Sequence, residues 1–176
     1  DLSDLYTGVD DPRLDADLAG MVGQGAAFEE KYKGRTACTD VTAELLRGAL
    51  DAYEALLRAQ YKPAAFASLL FSTDTTDARR GALLQRTREV GSAATTHLIF
   101  FDLGIGDIPQ ETFDRIIDDP QLAPYRHYLE HQRELAKHHL SEAEEKILEK
   151  TANTRGRAFG RLFTEITSRQ TFRVGE

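Results

Sequence analysis

The stretch that decides the fold is DPRLDADLAGMVGQGAAFEEKYKG, residues 11–34. Asp11 followed by Pro12 is typical of a helix start, because the carboxylate caps free backbone N–H groups and proline is tolerated in the first turn. Apolar or small residues then recur every three or four positions, as on one face of an amphipathic α-helix. The members of this face are Leu14, Leu18, Met21, Gly25, Phe28 and Tyr32. Gly34 is a natural helix stop, so the stretch predicts one helix.

The same period continues towards the middle of the chain. A second helix is expected to start near Thr39 or Asp40. Its apolar face consists of Leu45, Leu46, Ala49, Tyr53, Leu56 and Leu57. Pro63 predicts a break and the first turn of a third helix, because proline disrupts helix interiors. The apolar residues of that third helix are Phe66, Leu69, Leu70 and Phe71.

The second half of the chain is also predicted to be helical. A fourth helix is expected from about Ala78 towards Phe101, with Gly104 and Gly106 ending it. Later segments comprise a short helix with Phe113, Ile116 and Ile117, a helix from about Tyr125 to His139, one that starts at a Ser141–Glu144 capping box, and a last one with Phe159, Leu162, Phe163 and Ile166. Amphipathic stripes of this kind usually form the core. The predicted fold is all-α, a multi-helix array of antiparallel helices in a single lobe over residues 1–176.

The two ends of the chain look cut. Thr171, Phe172 and Val174 favour a strand, yet no partner strand follows, and a lone strand is not stable in water. The pattern leaves room for a truncated β-strand at the C-terminus. Since the chain also opens at Asp1 without a methionine, we expect a fragment of a larger protein.

Composition excludes several classes of protein. The chain is 41% hydrophobic and 29% charged, which is enough to bury a core and excludes a disordered class. Its net charge of −7 argues against a nucleic-acid partner, which would require excess positive charge. No apolar run approaches the roughly 20 residues that span a bilayer, and the acidic N-terminus is unlike a signal peptide. With the single Cys38, which cannot form an internal disulfide, these features favour a cytoplasmic location.

One motif resembles a metal site. His127-Tyr128-Leu129-Glu130-His131 has the reversed His-x-x-Glu-His spacing, which places both imidazoles on one helix face. A zinc site needs a third protein ligand, and no marked one follows in the remaining residues. An exposed helix surface is the favoured interpretation, although zinc binding stays open as the alternative.

No other pattern provides catalytic chemistry. The Gly-x-Ser-x-Gly elbow and the phosphate-cradling glycine loop are absent. His97 is interpreted as a core histidine, His138 and His139 as helix C-terminal residues, and Cys38 as an ordinary helix-boundary residue. We therefore assign no catalytic residue and no metal ligand, and the substrate-binding residues stay unknown.

Charge is distributed unevenly along the chain. Residues 1–20 hold six aspartates against Arg13. Residues 150–176 are basic, with Lys150, Arg155, Arg157, Arg161, Arg169 and Arg173. We expect this basic segment to pair with an acidic surface elsewhere in a larger protein.

Five segments, in this order, carry a family resemblance. They are DLSDLY (1–6), LLFSTDTTD (69–77), APYRHYLE (123–130), LSEAEEKIL (140–148) and LFTEIT (162–167). Together they resemble the N-terminal helical region of oligoendopeptidase F-type zinc metallopeptidases, relatives of thimet oligopeptidase, over nearly the whole chain.

The resemblance implies a role and a cofactor. The family's catalytic His-Glu-x-x-His helix and downstream glutamate would lie beyond residue 176, so zinc is implied for the full-length parent enzyme and not for this fragment. The implied partners are short peptide substrates and the missing catalytic domain of the same chain. This lobe would wall one side of a channel that admits short peptides. The alternative is a free-standing helical protein–protein interaction module without enzymatic activity.

Overall fold

The computed structural model describes residues 1–171. Over this range the chain forms eight α-helices and no β-strand. The helices are α1 Pro12–Tyr32, α2 Ala43–Thr73, α3 Ala78–Thr95, α4 Ile99–Asp107, α5 Gln110–Ile116, α6 Arg126–Leu135, α7 Glu142–Ala152 and α8 Gly156–Thr167, with 3₁₀ helices at Pro120–Tyr125 and Ala136–His138. The prediction of an all-α, multi-helix array is thereby confirmed. Thr171 lies in no regular element, and Phe172 and Val174 of the predicted strand fall outside the described residues.

Helix α1 follows its sequence prediction closely. The Asp11 side chain accepts a hydrogen bond from the Arg13 backbone N–H at 2.9 Å, and Pro12 occupies the first turn. All six residues of the predicted face are buried. After Tyr32 the chain turns at Gly34, whose φ of 74° lies in the left-handed region that favours glycine.

Helix α2 corrects the predicted break at Pro63. It runs unbroken for 31 residues with Pro63 buried inside it. Proline in a helix interior costs about 3 kcal/mol, whereas each large buried apolar side chain contributes about 1.5–3 kcal/mol. Tyr53 on one side of Pro63 and Phe66 on the other are both buried, each in a different core. Because two cores hold the two halves of α2, tertiary packing outweighs the local cost.

The predicted fourth helix is two helices, α3 and α4. The chain turns at Thr96–Leu98, and the two glycines predicted to end the helix lie inside α4. They allow close packing, since a Cβ on Gly104 would lie 3.2 Å from Ala37 Cβ, and one on Gly106 would lie 2.8 Å from Ala136 Cβ. At these two positions glycine lets neighbouring segments pack closely against α4, and it does not end the helix as predicted.

Two cores hold the array together. Helices α1, α2 and α3 pack against one another, and α4 packs against α6. The first core is centred on aromatic rings, with Phe28 edge-on to Phe101 at a centroid distance of 5.3 Å and Tyr53 4.9 Å from Phe101. The second core is built around Tyr6 and Phe66, whose rings meet edge to face at 5.2 Å. No helix within residues 1–171 is both long and apolar enough to span a bilayer.

Candidate interaction surface

Helix α7 is attached to the rest of the array through charged side chains. Its start is fixed by the predicted capping box, in which Ser141 and Glu144 bond reciprocally. Lys146 Nζ lies 3.4 Å from Glu29 Oε1 on α1. Glu142 Oε1 accepts from Lys33 Nζ at 2.5 Å and from Lys146 Nζ at 2.7 Å. These groups form a polar seam between α7 and the end of α1.

The centre of the polar seam is the Glu29 carboxylate. His97 Nδ1 lies 2.6 Å from Glu29 Oε2, so the predicted core histidine is half-buried and paired. Burial raises the pKa of Glu29, but hydrogen bonds from Lys33 and His97 outweigh it, so the pKa falls to about 2. Glu29 is therefore ionised at neutral pH and holds the cations around it.

Uncharged contacts extend the seam along α7. Ser92 Oγ donates to the Glu149 carbonyl at 3.0 Å, and Asn153 Nδ2 donates to the Arg88 carbonyl at 3.3 Å. Both bonds fix α7 to α3. Polar groups thus position the helix, and its apolar side chains face elsewhere.

The apolar residues of α7 and α8 are exposed, which corrects the interpretation of their stripes as core. On α8, Phe159 is 72% exposed and Phe163 70%. The complete set, here called the apolar α7–α8 surface, is Leu140, Ile147, Leu148, Phe159, Leu162, Phe163 and Ile166, all at least 41% exposed. Exposed apolar side chains of this size are typical of interaction sites, because covering each aromatic ring removes about 150–250 Å² from water.

The opposite face of α8 is basic and pairs within this chain. Arg157 makes a two-pronged bond to Glu149 at 2.9 and 3.1 Å. Arg161 Nε donates to Glu165 at 2.7 Å. These two arginines therefore pair with nearby glutamates, whereas the sequence led us to expect that they pair with an acidic surface elsewhere in a larger protein. The acidic N-terminus is also matched locally, because Asp10 pairs with Arg79 at 2.6 Å.

The reversed histidine motif lies on an exposed face of α6. The rings of His127 and His131 stack with centroids 6.3 Å apart, and both side chains are exposed. Glu130 accepts from Arg126 at 2.9 Å. Nowhere in residues 1–171 do three or more His, Cys, Asp or Glu side chains group as metal ligands would. The donor set on this part of the chain does not fit a zinc site.

The remaining residues singled out from the sequence lie apart from one another. Cys38 is in the turn between α1 and α2, where its Sγ lies 3.3 Å from the Arg35 carbonyl. His138 ends the second 3₁₀ helix, and the His139 ring lies against Gly106. The structure brings none of them together with His127 or His97.

A partly buried polar cluster on α4 was not predicted from the sequence. Asp102 on α4 accepts hydrogen bonds from the hydroxyls of Tyr53, at 2.9 Å, and Tyr128, at 2.5 Å. Burial raises the pKa of Asp102, and the two tyrosine bonds oppose that shift. The cluster joins α2, α4 and α6. It thereby holds α6 in place, and α6 is the helix that precedes α7 and α8 in the chain. No short motif could reveal it, because its members are 26 and 49 positions from Asp102.

Comparison with known proteins matches the C-terminal part of the chain. Residues 104–172 match the family model Peptidase_M3_N, described as Oligopeptidase F. No curated protein and no solved structure matches the chain. The matched range starts within α4 and includes α5 to α8, and with them the whole apolar α7–α8 surface. The match supports the resemblance seen in the sequence over residues 104–172, which are similar to the N-terminal region of oligopeptidase F.

Proposed function

We propose that residues 1–176 are the N-terminal, non-catalytic lobe of a zinc-dependent oligopeptidase that hydrolyses short peptides. The observation that carries the proposal is the coincidence of the family match with the apolar α7–α8 surface. A helix pair held by polar groups, with its apolar side chains outward, is suited to packing against another part of a larger protein. In this proposal the occupant of the surface is the catalytic domain of the same parent chain.

The lobe would act sterically. By walling a channel it would exclude wide substrates and hold a short peptide near the catalytic centre, which lowers the entropy cost of reaction. The metal would be held by residues outside this lobe, since the donors in residues 1–171 do not form a zinc site. The expected cellular location is the cytoplasm.

The first test uses this chain and its parent. The 176-residue protein should not turn over a quenched peptide library with added zinc, and the parent sequence beyond Glu176 should contain a His-Glu-x-x-His motif. Turnover that disappears in His127→Ala would contradict the proposal and restore the reversed motif. A parent without the motif would favour the interaction module.

The second test targets the surface in the full-length enzyme. Phe163→Asp should loosen the lobe, so that longer substrates are cleaved and KM for short peptides rises. Tyr61→Asp is the matched control, because Tyr61 is also an exposed aromatic residue, at 77%, but belongs to α2 and not to the apolar α7–α8 surface. An unchanged size preference in Phe163→Asp would refute the channel role.

A further inference from the structure

A second feature of the fold is a crevice between α2, α3, α7 and α8, which we call the arginine crevice. It consists of two adjoining cavities of about 290 and 240 Å³. Both are lined by Arg88 and Arg157, and Arg161 lines the smaller one. The crevice lies on the basic face of α8, whereas the side chains that α8 contributes to the apolar α7–α8 surface lie on its other face.

The crevice has an excess of positive charge. Arg157 is neutralised by Glu149, which also lines the larger cavity, and Arg161 is neutralised by Glu165. Arg88 is half-buried, yet within residues 1–171 it makes no ion pair with a carboxylate, and no hydrogen bond from its guanidinium is found there. Burial lowers the pKa of Arg88, and so does repulsion from Arg161 and Arg157. A guanidinium in proteins stays charged, so among residues 1–171 this crevice holds one positive charge more than the carboxylates paired with it.

An unused hydroxyl lies in the same place. Thr87 is 3% exposed and lines the larger cavity. Its Oγ1 has no hydrogen-bond partner in the described part of the chain. Buried hydroxyls are nearly always bonded, so an orphan in a cavity is evidence for a missing acceptor or donor.

We propose that the arginine crevice binds a small oxyanion, a carboxylate or a phosphate group, with Arg88 as the main ligand and Arg157 and Thr87 in support. The planar guanidinium fork matches two oxygens of either group. Arg157 is in the first turn of α8, whose N-terminal end has no side-chain cap, and the helix dipole adds to the positive potential there. The two sources of such a group are free phosphate and the terminal carboxylate of a short peptide. The anion site does not depend on the proposed peptidase function, and only the peptide arm of the test does.

The test is a titration of the 176-residue protein with inorganic phosphate, followed by NMR of the Arg88 and Thr87 signals. Saturable shifts at these residues are expected, and Arg88→Gln should weaken binding at least tenfold. Arg86→Gln is the matched control, because it also removes one charge from α3 but lies at an exposed pair with Asp15. Equal weakening in both variants, or no saturable shift in the unmodified protein, would overturn the proposal.

Two further measurements separate the sources and guard against misfolding. The first measurement is competition with phosphate by a short peptide, once with a free C-terminal carboxylate and once as its C-terminal amide. If only the free acid competes, the peptide carboxylate is the anion that the crevice binds. Phosphate binding with no difference between acid and amide identifies free phosphate. Thr87→Val keeps the side-chain shape and removes the orphan hydroxyl, so it should fold normally and weaken binding about threefold to tenfold. A Thr87→Val protein that binds phosphate as tightly as the unmodified protein would exclude the hydroxyl from the site.

Discussion

Gly106→Ala is expected to destabilise the protein although it adds a good helix former to α4. Alanine favours a helix interior over glycine by about 1 kcal/mol. At Gly106, however, the new Cβ would lie 2.8 Å from Ala136 Cβ, closer than carbon atoms approach in folded proteins. Overpacking of this kind typically costs about 1–3 kcal/mol. The net effect is a loss of about 1 kcal/mol.

The matched control is Gly23→Ala in the middle of α1, where a Cβ meets nothing within 4 Å. It should stabilise the protein by about 0.5–1 kcal/mol. Urea unfolding followed by circular dichroism measures the stability of both variants. The urea midpoint should fall in Gly106→Ala and rise in Gly23→Ala, with the m-value unchanged in each. The difference between the two variants isolates the contact.

A double variant tests the contact between positions 106 and 136 directly. Gly106→Ala combined with Ala136→Gly removes the opposing Cβ, so the pair should show a favourable coupling of about 1–2 kcal/mol relative to the single variants. If Gly106→Ala is as stable as Gly23→Ala, the close approach of α4 to the Ala136–His138 turn is not a constraint. Gly106 would then not be required for close packing against Ala136.

Two predictions concern partly buried carboxylates. Because the pKa of Glu29 falls from 4.5 to about 2 on folding, its contribution is complete above pH 4.5 and is lost as the pH falls towards 2. Glu29→Gln should therefore cost about 1–2 kcal/mol at neutral pH, after allowance for solvent screening, and flatten the acid limb of a stability–pH curve. An acid limb as steep in Glu29→Gln as in the unmodified protein would contradict this. Asp102→Leu should cost about 2–4 kcal/mol because it leaves two tyrosine hydroxyls without their acceptor, whereas Asp102→Asn, which removes the partly buried charge, should be nearly neutral. Equal urea midpoints for the two Asp102 variants would refute the assigned bonds.

Local patterns predicted most of the helices correctly. The face of α1 and the capping box of α7 depend on residues within a few positions of one another, and both were confirmed. Pro63 and Gly106 were misjudged because their effect depends on distant partners. The helix-breaking cost of Pro63 is offset by packing in two cores. Glycine is required at position 106 because of a residue 30 positions away, Ala136, which leaves no room for a Cβ. Propensity contains no information on such partners.

The candidate surface shows a different limit of sequence patterns. The apolar residues of α8 have the spacing of an ordinary amphipathic helix, as the positions of Phe159, Leu162, Phe163 and Ile166 show. This spacing is the same whether the apolar face packs inside this chain or against another domain or protein. What orients α7 is the set of charged groups around Glu29, which are joined across more than 60 positions. Each exposed pair at the edge of such a seam contributes only about 0–1 kcal/mol, while covering the two phenylalanines alone would contribute several kcal/mol. Under the proposed function, the larger free energy would be gained only when the catalytic domain packs against the apolar α7–α8 surface.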